Sequence, residues 1–168
     1  MRRVFAALLA ASLAAVAHAE SSANAAVEDG KVVAIEYTLS LEDGKIVTTN
    51  VGGEPLVLVQ GHGEVMPGLE RAIAGMAVGE SKQGVLAPEE AYGKVDPKLF
   101  VEVEATRIPE ADRHAGARVM MRDGSGREKV VSIYELRGDR IVVDLNHALA
   151  GNPIKYEVKV LRVEDPAR

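Results

Sequence analysis

Gly61–Glu80 reads GHGEVMPGLERAIAGMAVGE. Its centre carries a short helix, because Met66, Leu69 and Ile73 recur at spacings of three and four and so share one face. Pro67 suits the first turn, where a missing N–H leaves nothing unpaired, and Gly75 suits the position just past the end. The helix is expected over Pro67–Ala74. Gly61-His62-Gly63 resembles half of a dinucleotide fingerprint, but no third glycine follows at the required spacing and no parallel-sheet pattern surrounds it. The tripeptide reads as a strand-to-helix turn. Gly79 marks the next turn.

Upstream of the helix the pattern changes to period 2. Val33, Ile35, Tyr37, Leu39 and Leu41 fall on one face of Lys31–Leu41, with Glu36, Thr38 and Ser40 on the other, which predicts a half-buried strand. Glu42-Asp43-Gly44 is a hairpin signal, and Ile46–Thr49 is its return strand. Asn50–Glu54 is a loop and Leu56–Val59 a short apolar strand. Downstream, a strand is expected over about Lys82–Ala87, then a helical turn over Pro88–Ala91. At the far end Ile154, Tyr156, Val158 and Val160 alternate as a long strand. This is an α+β pattern, a sheet wrapped on one helix.

The middle has a different rhythm. Leu99, Val101 and Val103 alternate. Asp123-Gly124-Ser125-Gly126 separates Arg118–Arg122 from Lys129–Leu136, and Arg137-Gly138-Asp139 precedes Ile141–Val143. Strands at such short intervals suggest a small all-β unit inserted between the halves of the main domain. The Arg-Gly-Asp tripeptide is read as a hairpin turn rather than an adhesion signal.

The 168 residues carry 20 Lys+Arg against 25 Asp+Glu, and the first nineteen distort the average. Met1–Ala19 holds 15 apolar residues, Arg2 and Arg3, and no acid. Arg2-Arg3 forms a positive start, Val4–Val16 an apolar run, and Ala17-His18-Ala19 a small-residue cleavage site, the pattern of a signal peptide cut before Glu20. Thirteen residues make about 20 Å of helix, short of a bilayer core of about 30 Å. A periplasmic or secreted destination is expected, with residues 20–30 as a flexible lead-in. Without residues 1–19 the balance is 18 Lys+Arg against 25 Asp+Glu. Such an acidic chain is a poor fit for nucleic acid or for an anionic membrane surface. The absence of Cys excludes disulfides, thiol catalysis and cysteine-based metal sites.

The chain has no His-Glu-x-x-His, no phosphate loop and no nucleophile elbow. His62, His114 and His147 lie far apart in sequence, so a metal site would need the fold to gather them, and none is expected. The remaining candidates, Tyr37, Val47, Leu56, Val65, Met66, Leu69, Tyr92 and Tyr156, are apolar or phenolic. They serve either as core between sheet and helix or as the lining of a dry pocket.

The order of three stretches favours the pocket. GHGEVMPGLERAIAGMAVGE (Gly61–Glu80) is followed by APEEAYG (Ala87–Gly93) and, much later, by NHALAGNPIKYEVKVLRV (Asn146–Val163). Together they resemble the FKBP family of peptidyl-prolyl cis–trans isomerases, in its SlyD-like branch, over Lys31–Glu164. The resemblance implies an FKBP-like antiparallel sheet wrapped on a short helix. It places the isomerase domain at 31–95 and 145–164, with a small β-rich insert-in-flap domain at 96–144.

The resemblance also implies site residues. Tyr37 takes the place of an aromatic pocket wall, and Val47 and Leu56 take two hydrophobic wall positions. Val65 and Met66 match the pair at the start of the helix, whose backbone can bond a peptide. Leu69 takes the pocket floor, Tyr92 the phenol that bonds a substrate carbonyl, and Tyr156 a phenylalanine position on the last strand. Where the family often has an aspartate after Val47, this chain has Thr48. It also ends at Arg168 without the His- and Cys-rich nickel-binding tail of many SlyD-like proteins, so no metal function is carried over.

A pocket without acid, base or metal can still be catalytic. Prolyl isomerisation is limited by amide resonance, a barrier of about 18–20 kcal/mol, and the twisted amide is less polar than the planar one. A dry wall and a positioned phenol favour the twisted state, and only such differential contacts accelerate the step. The expectation is a prolyl isomerase that speeds proline-limited folding and needs no cofactor, with chaperone activity from the inserted domain, acting as a monomer on proline-containing peptides and on unfolded or partly folded proteins. The alternative is a non-catalytic chaperone or peptide-binding module with Thr48 marking a weakened site. In the inserted unit Phe100, Met120, Met121 and Tyr134, with Val119, either fill its core or form a client surface, methionine being adaptable to many apolar partners.

Overall fold

The computed structural model describes residues 25–122 and 125–166. The signal segment expected over residues 1–19 lies outside them. The chain packs as two compact units, the first ending at Ala91 and resuming at Pro153, the second running from Tyr92 to Asn152.

In the first unit β1 (Val32–Ser40), β2 (Ile46–Thr49), β3 (Leu56–Val59), β4 (Ser81–Leu86) and β9 (Ile154–Glu164) form one antiparallel sheet. Its helix, α1, spans Pro67–Ile73. β9 lies between β1 and β4, while β2 and β3 share the far edge of β1. Register puts Val33 opposite Leu58 and Val163, Ile35 opposite Leu56 and Val160, and Leu39 opposite Tyr156. These rows form the inner face. Val160 and Val163 are both buried although three apart, because the ladder slips between Ala34 and Ile35. A bulge of one residue reverses the facing of everything beyond it. Leu69, Ala72 and Ile73 of α1 are buried, and the helix packs on β4 and β9.

The turn that looked like half a fingerprint wraps a carboxylate. Glu70 Oε1 on α1 accepts from Gly61 N at 2.9 Å and Gly63 N at 3.0 Å. At the other end of the helix Lys82 Nζ donates to Ala72 O at 3.0 Å, a cation where the helix dipole is negative.

Residues 25–30, expected as flexible, are docked instead. Val27 is buried, its N–H bonds Met76 O at 2.9 Å, and its carbonyl accepts from Gly75 N at 2.8 Å. A single valine among small residues has no periodicity to read, so tertiary contact alone orders it.

The second unit is a four-stranded antiparallel sheet in the order β5-β8-β7-β6, with β5 at Phe100–Glu104, β6 at Arg118–Arg122, β7 at Glu128–Arg137 and β8 at Arg140–Asp144. Val103, Ile108, Val119, Ile133 and Ile141 belong to its core. Its two chain ends are tied together. Gly151 N donates to Gly93 O at 2.9 Å, and the Asn146 side chain accepts from Asp96 N and donates to Asp96 O. No helix among the described residues is long and apolar enough to cross a membrane.

Candidate functional site

The inner face of the first unit collects most of the expected pocket. One row across four strands joins Thr48, Leu39, Tyr156 and Gly84; the next joins Tyr37, Val158 and Lys82; a third holds Leu56 with Ile35 and Val160. Val47 owes its place to a second irregularity. The ladder slips between Leu39 and Ser40, leaving Val47 as the extra residue. Consecutive Val47 and Thr48 are both half-buried while Ile46 and Thr49 are exposed, which strict alternation forbids and a bulge permits.

Val65 and Met66 stand half-buried just before α1, Met66 being its N-cap with extended backbone. Leu69 and Tyr156 are only 2% and 7% exposed, so they are core as well as candidate floor. Tyr37, Val47, Thr48, Leu56, Val65 and Met66 keep surface for a ligand. Tyr156 lies where only glycine can face it: a Cβ on Gly84 would stand 2.8 Å from its ring and its hydroxyl.

Asn50 was missed by the sequence reading, which placed it in a loop. Between β2 and β3 the edge of β1 has no strand partner, and the Asn50 side chain fills the gap. Its Oδ1 accepts from Tyr37 N at 2.7 Å and its Nδ2 donates to Ile35 O and Glu54 O. It thus spaces the walls that carry Thr48 and Leu56. An asparagine in a polar loop gives no sign of this, since the bonds join residues up to 15 apart.

Two shallow concavities, about 410 and 320 Å³, run along β1, β9 and β4. They are ringed mainly by the outward residues Glu36, Thr38, Gln83, Glu157 and Lys159. Tyr37, Val158 and Tyr156 also reach them, but the charged side chains suit a desolvated X–Pro amide poorly, so the inner rows are the better site.

Tyr92 belongs to the second unit. Its ring stacks on His147, centroids 4.5 Å apart and planes 1° from parallel. The sequence gives His147 no role beyond its place in NHALAG. In the same unit Phe100 and Tyr134 meet edge to face at 4.8 Å. Met120 is 64% exposed, whereas Met121 is half-buried and lines a separate cavity. The expected client surface is therefore two surfaces. Among the described residues no three His, Cys, Asp or Glu side chains stand close enough to hold a metal ion.

Comparison with known proteins places the chain in a family. The family model of the FKBP-type peptidyl-prolyl cis-trans isomerases matches residues 23–119. The chain belongs to this family. An FKBP-type peptidyl-prolyl cis-trans isomerase SlyD of Vibrio cholerae is 33% identical over 137 residues, 82% of this chain and 68% of that protein. Its counterpart in Treponema pallidum is 36% identical over 135 residues, 80% and 76% of the two chains. An FKBP-type 16 kDa peptidyl-prolyl cis-trans isomerase of Escherichia coli is 32% identical over 143 residues, 84% and 95% of the two. The sheet wrapped on a short helix is thus an FKBP-like α+β fold, and the chain is a SlyD-like FKBP-type isomerase. Its substrates are proline-containing proteins or peptides.

Proposed function

We propose that the chain speeds proline-limited folding through the inner-face pocket of its first unit, with client capture by the second. The observation that carries the pocket is the inner face itself. Tyr37, Val47, Leu56 and Met66 present half-buried apolar or phenolic surface, and their neighbours Leu69 and Tyr156 are core.

The chemistry asks little more. An X–Pro bond entering the pocket leaves water, which penalises its planar, more polar amide relative to the twisted one. The backbone at Val65 and Met66 aligns the peptide, and the family resemblance assigns the carbonyl-bonding phenol to Tyr92. Each 1.36 kcal/mol removed from the barrier is a tenfold gain in rate. Thr48, having no charge, adds a hydroxyl but no ion to this wall.

Refolding of a protein limited by a non-native prolyl bond tests the reading. Substoichiometric protein should speed the slow phase, and a proline tetrapeptide should isomerise faster at micromolar protein. An unchanged slow phase with aggregation suppressed would instead identify a non-catalytic binding module.

We further propose export to the periplasm, supported by the charge, apolar run and small-residue site of residues 1–19, and action there as a monomer. Cell fractionation with mass measurement should find the protein in the periplasmic extract beginning at Glu20; an intact Met1 in the cytoplasm would refute it.

A further inference from the structure

The inner sheet face of the second unit is only partly closed. Beyond its core it opens into a cavity of about 570 Å³, within the range of about 300–1,000 Å³ typical of binding pockets. Val131 and Val143 form its floor, and Leu99, Val101, Met121 and Leu145 its sides. Leu99 and Val101 are exposed, at 37% and 38%. Period 2 puts this trough on the face opposite the Phe100–Tyr134 pair.

Charge surrounds the trough unevenly. Four cations, Arg107, Arg122, Arg127 and Lys129, line it, and among the described residues no carboxylate does. Arg122 is paired with Glu128 at 2.8 Å. Lys129 gives one of its three donors to the Leu145 carbonyl, a neutral partner. Arg107 and Lys129 have no ion-pair partner among the described residues. The rest of the molecule leans the other way. Residues 25–91 and 153–166 carry 7 Lys+Arg against 14 Asp+Glu, while 92–152 carry 10 of each.

From this trough we infer that the second unit selects among unfolded clients, binding extended segments whose apolar side chains are flanked by carboxylates. Apolar side chains fill the trough, and the flanking acids meet Arg107 and Lys129. Such rim charges set partner choice more than raw affinity. The inference deepens the client-capture reading and rests on it.

The test uses three fluorescein-labelled, unstructured peptides with one shared leucine- and phenylalanine-rich core and no proline, flanked by glutamate, serine or lysine. Anisotropy titration of the protein at low salt should rank them glutamate, serine, lysine, with about tenfold between the extremes, the reach of two partly exposed ion pairs. The gap should close in 1 M salt, where the screening length is about 3 Å. Arg107→Glu with Lys129→Glu should invert the ranking, and Arg107→Gln with Lys129→Gln should flatten it, circular dichroism confirming the fold of both. Equal binding of all three peptides would overturn the selection and leave client capture standing. Binding of none would overturn both. A ranking unmoved by either double variant would place the selecting charges elsewhere and overturn the assignment to this trough.

Discussion

Tyr92 and His147 are 55 positions apart, and their stacked rings hold the phenol in one orientation. Tyr92→Phe keeps the stack and removes only the hydroxyl. It should lower kcat/KM on a proline tetrapeptide about three- to tenfold, the worth of one hydrogen bond made as the amide twists. His147→Ala keeps the hydroxyl and frees the ring, so it should lower the rate by less. Thr48→Asp should raise the rate, because it restores an ion at the position after Val47. A protease-coupled assay on the three variants reads all of this. Unchanged rates in all three would mean that these residues do not form the site.

Two elements of the first unit meet at Gly68. A Cβ there would stand 2.8 Å from Leu86 Cδ2 and 2.9 Å from the Glu90 carbonyl oxygen. Glycine inside a helix ordinarily costs about 1 kcal/mol relative to alanine, so Gly68→Ala would be expected to stabilise. Here the sign should reverse. The clash involves backbone, and the variant should lose about 1–3 kcal/mol, read as a lowered Tm.

The 3₁₀ turn Pro88–Glu90 is clamped to α1 by Arg71, whose Nη2 donates to Glu90 Oε1 at 2.6 Å. That hydrogen bond, with a second from Ala87 N, holds the Glu90 carboxyl below its usual value. Its contribution to stability is therefore complete above the unfolded value, about pH 4.3, and is lost as pH falls through the lower folded value. Glu90→Gln should have a lower Tm than the parent at pH 7, and the difference should vanish toward pH 3. A difference that stays constant with pH would assign the effect to packing instead of charge.

At the scale of the molecule, the second unit holds its own two chain ends together. Gly93 and Gly151 are bonded, as are Asp96 and Asn146, and Tyr92 stacks on His147. Replacing residues 97–145 by a short Gly/Ser linker keeps all three contacts, and loop closure depends only weakly on length. The truncated protein should fold and isomerise a tetrapeptide at close to the parent rate. It should lose most of its advantage on an unfolded protein, where capture raises the effective concentration of prolines. Equal retention in both assays would remove client capture from the second unit, and failure to fold would show that the units depend on one another for stability.

The strands and α1 were legible in sequence because their cause is local. Val33, Ile35 and Leu39, or Ile154, Tyr156 and Val158, declare a strand by period 2, and Pro67, Leu69 and Ile73 declare a helix by spacing. The ordered stretches GHG…GLE, AYG and NHALAG were enough to reach the family. What the sequence could not show depends on partners far along the chain. Val27 is buried by Met76 and Gly75, Asn50 completes a sheet edge beside Tyr37, and a one-residue slip turns both Val47 and Thr48 toward the inner face. Glu70 draws Gly61 and Gly63 into their turn, and Arg107 and Lys129 come to rim one trough from separate elements. Periodicity reports which face a residue occupies, whereas register, bulges and side-chain bonds are settled only when the strands meet.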